Sequence, residues 1–189
     1  MTLVDELLAE LGDPGLEQIG GMLGTDPATA RTILQETAGT IVAGLARSAE
    51  HPEGAEALRT ALDDHTDADP FNGDVASLTR DGQNILAHVL GGQGAEHAAD
   101  ELARFAGVGS TALMKVLPLL APMIMSLLAG QADRRDLEPE ELADFLRRER
   151  AALPLGLRER LVLILADIFG DPGGLMDPQA ARGAQSPDW

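Results

Sequence analysis

Gly24-Thr25-Asp26-Pro27-Ala28, running on through Ile33-Leu34 to Leu45-Ala46, lies in register over Gly107-Val108-Gly109-Ser110-Thr111, which runs on through Val116-Leu117 to Leu128-Ala129. Each residue of the first stretch stands 83 positions before its counterpart, and Ala38 and Ile41 fall on Ala121 and Ile124 at the same offset. One residue later in register, Leu58 and Leu62 fall on Leu142 and Leu146. An ungapped block of this length reads as an internal duplication, the sequence mark of a repeated supersecondary unit. Each copy is preceded by a short apolar lead-in: Leu7-Leu8-Ala9-Glu10-Leu11-Gly12, and Ile85-Leu86-Ala87-His88-Val89-Leu90-Gly91. A third lead-in, Ile164-Leu165-Ala166-Asp167-Ile168-Phe169-Gly170, has nothing resembling the rest of a repeat after it.

Within each copy the apolar residues recur at spacings of three and four. Leu3, Leu7, Leu8, Leu11 form one stripe, Ile33, Leu34, Thr37, Ile41, Leu45 a second, and Leu142, Phe145, Leu146 a third. That period belongs to amphipathic helices, and no stretch alternates as a strand does. Asp13-Pro14, Asp26-Pro27 and His51-Pro52 place Pro at first helical positions, with Asp as N-cap in two of them. Gly12, Gly24, Gly91, Gly107, Gly130 and Gly170 stand where apolar runs end, as C-terminal caps do. The pattern predicts nine or ten helices and no sheet: an all-α, multi-helical bundle of two helix-turn-helix-like repeats plus C-terminal helices. Its parts are a first repeat over 1–66, a second over 75–150, a C-terminal helix over 151–170 and a flexible tail over 171–189, in one compact unit. Leu34, Leu45, Leu86, Leu90, Leu117, Leu120 and Leu128 are the expected core.

Composition narrows the chemistry. The 189 residues carry 31 acids against 14 bases, a net charge of −17. With 44% hydrophobic and 24% charged residues, the balance is that of a globular chain. There is no Cys, which removes disulfides, thiolate metal sites and cysteine nucleophiles. No Tyr, one Trp and four Phe leave little for stacking on bases. The charge is uneven. Residues 1–94 hold 16 acids and 4 bases, whereas 95–189 hold 15 and 10, seven of those ten between Arg134 and Arg160. Those arginines read as a solvated helix face with Glu–Arg pairs at helical spacing. The opening Met1-Thr2-Leu3-Val4-Asp5-Glu6 is acidic and lacks the basic start and apolar run of a signal peptide, so a cytoplasmic location is expected.

Several segments invite a functional reading. Residues 19–31 and 102–113 each have the helix, Gly turn and second helix of a DNA-binding unit. Their second helices offer only Thr29, Arg31 and Gln35, opposed by Asp26 and Glu36, or a lone Lys115 among apolar neighbours. With −17 overall, a packing module is the better reading and no nucleic acid is expected. Residues 111–130 are apolar enough to span a bilayer. Lys115, Pro118, Pro122 and the amphipathic counterpart at 28–47 argue instead for a buried central helix, kinked or broken near the prolines, with no membrane span.

Asp63, Asp64, His65, Asp67 and Asp69, with Asp74 nearby, are candidate oxygen and nitrogen ligands for a divalent metal. A calcium loop requires ordered carboxylates, a sixth-position Gly and a closing Glu. Pro70 interrupts, Gly73 is out of place and no Glu closes, so a solvated acidic loop over 63–74 is the primary reading. His88 and His97 are too far apart for a helical zinc pair. Ser110 suits an N-cap rather than a nucleophile, and Gly91-Gly92-Gln93-Gly94 lacks the ending of a phosphate loop. No catalytic motif and no cofactor site is expected.

A family resemblance rests on six segments: Leu3-Val4-Asp5-Glu6-Leu7-Leu8; Leu23-Gly24-Thr25-Asp26-Pro27-Ala28; His51-Pro52-Glu53-Gly54-Ala55-Glu56-Ala57-Leu58; Asp81-Gly82-Gln83-Asn84-Ile85-Leu86; Phe105-Ala106-Gly107; and Leu119-Leu120-Ala121-Pro122. Through these, residues 1–131 resemble the bacterial family known as domain of unknown function 937, with its YidB-like relatives. The resemblance implies an all-helical bundle and carries no catalytic residue. Some relatives end in an Asp-rich, Gly-containing tail, and Gly170-Asp171-Pro172-Gly173-Gly174 lacks that calcium-like order.

The expectation for function is a non-enzymatic helical scaffold or protein-interaction module, with itself as one possible partner. The alternatives are a divalent-cation protein or metal-dependent enzyme using the acidic loop, and a helix-turn-helix regulator. The third lead-in supplies the interaction residues: Leu161, Ile164, Leu165, Ile168 and Phe169 lie in a helix apolar nearly all round, which must bury most sides or expose an adhesive patch. Such a helix folds back on its own bundle or docks head to tail on a neighbour, aided by attraction between the Arg-rich segment and an acidic N-terminal half.

Overall fold

The first helix starts where Thr2 accepts the Asp5 N–H and Asp5 in turn accepts the Thr2 N–H, a reciprocal capping box. From there the computed structural model, which describes residues 1–170, runs through α1 (Leu3–Leu23), α2 (Pro27–Ser48), α3 (Pro52–Asp63), α4 (Val75–Leu90), α5 (Gly94–Ala106), α6 (Ser110–Arg135), α7 (Pro139–Ala152) and α8 (Leu155–Phe169). The protein is all-α, with no strand among the described residues. The expected tail over 171–189 lies outside them.

Among the described residues eight helices stand where nine or ten were expected. The first lead-in and the helix after it are joined in α1, across a non-helical Gly12 (φ 58°, ψ −171°) followed by Pro14. In the second copy the corresponding helices stay apart as α4 and α5, separated at Gly91 (φ 83°, ψ 170°). The duplication persists in the backbone. Gly24 and Gly107 both close their helices in the left-handed region at φ 69°. Gly12, Gly91 and Gly170 recur 79 positions apart, each at positive φ with an extended ψ. The third lead-in thus ends as the first two do.

Three local expectations are corrected. Gly130 is not a cap: Gln131 and Ala132 are buried on the bundle, so packing carries α6 on to Arg135, where Asp136 takes the left-handed turn at φ 52°. Ser110 is not the N-cap: Gly109 is, and Ser110 is the first helical residue, without a capping bond. Pro118 and Pro122 do not break α6, which is helical through both.

The paired helices α2 and α6 form the centre. Ten consecutive residues of α2, from 37 to 46, are buried, as are ten of α6, from 116 to 125. Around this pair α1, α4, α5 and α7 pack, with α3 against α7 and α8 against α2 and α5. Leu34, Leu45, Leu86, Leu90, Leu117, Leu120 and Leu128 all lie in the single core, none more than 2% exposed. Small residues set the closest crossings: Gly44 admits Val89 and Leu90, and Gly39 admits Leu157 and Leu153.

Candidate functional site

The helix-turn-helix units are built as the sequence suggested, but their second helices are α2 and α6, the most buried elements of the bundle. A recognition helix must lay an exposed face into the major groove. Here Arg31 and Lys115 are exposed and Thr29 is half-buried, each near a helix start, while the following turns face protein on all sides. Among the described residues one helix, α6, is long and apolar enough to cross a membrane, and 72% of its most apolar stretch is buried inside the bundle.

The acidic loop connects α3 to α4. Asp63 ends α3 and pairs with Arg59 at 2.8 Å, Asp69 accepts from the Asn72 amide at 2.9 Å, and Asp74 caps α4 through the Ser77 N–H. Asp64 and Asp67 are exposed. The loop is fixed by its apolar members: Pro70 is buried, Phe71 packs on the core, and the Ser126 hydroxyl donates to the Ala68 carbonyl at 3.1 Å. Among the described residues no three carboxylate or imidazole groups come together to hold a metal.

Between the end of α3 and α4 lies an open cleft of about 320 Å³, lined by Asp64, His65, Asp81, Asn84, Ile85 and His88 among others. His65 is half-buried, and burial lowers its proton affinity against the opposing pull of Asp64 and Asp81. His88 Nδ1 is 2.8 Å from the Asn84 carbonyl in the turn before it. Sequence reading missed Asp81 and Asn84 as neighbours of His65, because α4 brings them there only after the chain has turned through residues 64–74. A smaller, mostly apolar cleft of about 140 Å³ lies between α4, α5 and α6, over Leu86, Met114 and Pro118.

The third lead-in divides into two faces. Leu157, Leu161 and Ile164 enter the core, and Leu165 and Ile168 pack against it half-buried. Phe169 is half-buried beneath the Arg47 guanidinium, 3.9 Å from the ring centre. The outer face carries Leu155, Val162 and Leu163, each more than 60% exposed, in line with Glu159 and Ala166 at helical spacing. On the adjoining α5, Phe105 is half-exposed, with the Arg160 guanidinium 5.4 Å from its ring centre.

The Arg-rich segment does more than pair along its own helix. Arg147 meets Asp144 one turn away at 2.8 Å, but Arg150 reaches Glu50 after α2 at 2.9 Å and Arg160 bonds Glu36 within α2. His97 of α5 faces Asp167 of α8 at 3.4 Å. The bases of the second half thereby tie α7 and α8 to the acidic first half of the same chain. At these exposures each pair contributes about 1 kcal/mol or less.

Residues 5–131 match the family model described as bacterial protein of unknown function (DUF937). The chain belongs to the DUF937 family. Comparison with curated proteins and with solved structures finds no match. The DUF937 match ends at Gln131, within α6, so α7 and α8, with the outer apolar face, follow the matched segment.

Proposed function

We propose that this DUF937 chain is a non-enzymatic helical interaction module that assembles with copies of itself through α8, in the cytoplasm. One observation carries the reading: α8 buries one apolar face in its own bundle and still presents Leu155, Val162 and Leu163 to solvent. Single exposed apolar residues are ordinary, but several on one helix face mark an association surface. The cleft at the end of α3 gathers Asp64, His65, Asp81 and His88, but among the described residues no three such groups come close enough to hold a metal, which supports a binding role over a metal-dependent one. The buried second helices of the helix-turn-helix units weigh against DNA reading.

The test is the solution mass across a concentration series, by light scattering, with and without divalent metal. Mass rising with concentration irrespective of metal supports the proposal. A monomer throughout overturns it, and assembly that appears only with metal returns the role to the acidic loop.

A further inference from the structure

The outer stripe of α8 is centred on a charge. Leu155, Val162, Leu163 and Ala166 stand within about 60° of Glu159 around the helix, at about 100° per residue. Arg158 and Arg160 stand about 100° to either side of Glu159 and border the stripe. Arg160 is bonded to Glu36 of α2. Glu159 is exposed and, like Arg158, has no ion-pair partner among the described residues; the Arg158 Nε is buried without a hydrogen-bond partner. The two cannot satisfy each other, since adjacent helix positions do not face one another. Over α8 as a whole the charge balances, Arg158 and Arg160 against Glu159 and Asp167. The chain carries −17, so two copies repel each other except where they meet on balanced ground. A head-to-tail contact would set α8 on the acidic first half of the next copy, where α1 has five acids and no base. Arg150 and Arg160, which would draw it there, are already bonded to Glu50 and Glu36 of their own chain.

We propose that self-assembly through α8, the reading on which this inference rests, makes a closed two-fold pair: α8 of one copy lies antiparallel on α8 of a second, crossing near Glu159. A contact of this kind sets one surface against itself, so the surface must be self-complementary. The stripe meets that requirement. Reversing one helix about Glu159 brings Leu155 of each copy against Leu163 of the other. Each Glu159 carboxylate then stands near the axis, flanked by the bordering arginines of the other copy. Glu159 and Arg158, unpaired within a chain, thereby pair between chains in charge-assisted bonds. A helix of 15 residues is about 22 Å long, and one face of it covers less than the roughly 800 Å² a side of a stable complex. The pair is therefore reversible. Growth stops at two, because the contact uses the stripe of both copies.

The test uses disulfide cross-linking between full-length chains, which have no cysteine of their own. Leu155→Cys and Leu163→Cys replace exposed side chains and are prepared separately. Under mild oxidation their mixture is expected to give a linked pair of one chain of each, and either variant alone only a background. In the antiparallel pair two copies of position 155 stay about 12 Å apart along the helices, beyond the roughly 7 Å between Cα atoms that a disulfide spans. The mass of the unlinked wild type should level off at two chains of 19.8 kDa. As a second readout, Arg158→Glu and Glu159→Arg should each raise the concentration of half-assembly by about tenfold or more, and the two together should restore it. Cross-linking of either variant with itself as efficient as in the mixture, or mass growing past two chains, would overturn the antiparallel pair. So would a double variant as weak as the single ones. Assembly without the 155–163 link overturns this pairing alone, whereas a monomer at every concentration overturns the self-assembly reading and the pairing with it. Should Arg158→Glu fail to fold, the cross-link decides.

Discussion

Gly82 of α4 lies so close to Pro118 of α6 that a β-carbon on Gly82 would stand 1.7 Å from the Pro118 carbonyl oxygen. The residue four positions on from Pro118 is Pro122, which has no N–H to give that carbonyl. A Gly82 Cα–H occupies the direction a side chain would take, so it meets an oxygen that the helix itself leaves unpaired. The two prolines and the glycine are parts of one close crossing. Gly82→Ala is therefore expected to cost about 3 kcal/mol, the upper end of overpacking effects. Urea unfolding of the variant checks this, and a loss under about 0.5 kcal/mol would mean the crossing can open freely.

Leu117 sits in the same helix, fully buried where the two repeats meet. Leu117→Ala should cost about 2–5 kcal/mol, the range for removing a large core side chain. The midpoint of a urea melt should fall without change of slope, because the unfolded surface is nearly the same. A cost near zero would show that the repeat register misplaces this residue.

The repeat was legible because its signal is carried by spacing, and spacing survives folding: Leu34 and Leu117, 83 positions apart, both reach the centre. The turns at Gly24 and Gly107 were legible for a related reason, since a left-handed position at a helix end selects glycine. Gly130 failed the same logic because glycine also serves inside packed helices, and only tertiary contact distinguishes the uses. The cleft around His65 joins residues of two helices, and the Leu3–Glu149 and Glu6–Gln131 hydrogen bonds join residues far apart in the chain, which no local pattern encodes. The split of α8 into a core face and an outer face was half legible. Its composition announced an apolar helix all round, but which side meets α2 depends on Gly39 admitting Leu157.

Acid should unfold the protein through its caps. Asp5 and Asp26 hold their protons less tightly than usual: Asp5 chiefly through the Thr2 backbone, Asp26 chiefly through the Thr29 hydroxyl. A depressed carboxyl pKa gives stability that is present above the ordinary Asp range and is lost as pH falls through the folded value. Glu149, whose proton affinity is raised chiefly by burial, contributes with the opposite sign: its stability is present below the ordinary Glu range and is lost as pH rises through the folded value. Melting temperature is thus expected to peak at mildly acidic pH. Asp5→Asn with Asp26→Asn should flatten the fall below that peak and leave the neutral side unchanged. An acid limb as steep as in wild type would assign it to other carboxyls.

The two faces of α8 give the sharpest contrast, because neighbouring positions of one helix are asked to do opposite things. Leu161 is 2% exposed and Leu163 is 66% exposed, so the two side chains meet core and solvent respectively. Leu161→Glu forces a carboxylate into apolar surroundings with no partner. It should cost about 3 kcal/mol or more, or be taken up by detaching α8 from α2 and α5. Leu163→Glu places the same charge in water and should leave the urea midpoint within about 0.5 kcal/mol of wild type. If α8 is the assembly surface, that variant nevertheless loses its rise of mass with concentration, since a charge in an apolar contact must be desolvated without compensation. Val162→Glu should behave likewise, from the same exposed stripe. An undiminished assembly in both outer variants would move the contact off α8. A destabilised monomer from Leu163→Glu would instead mean that the outer face is not free in solution.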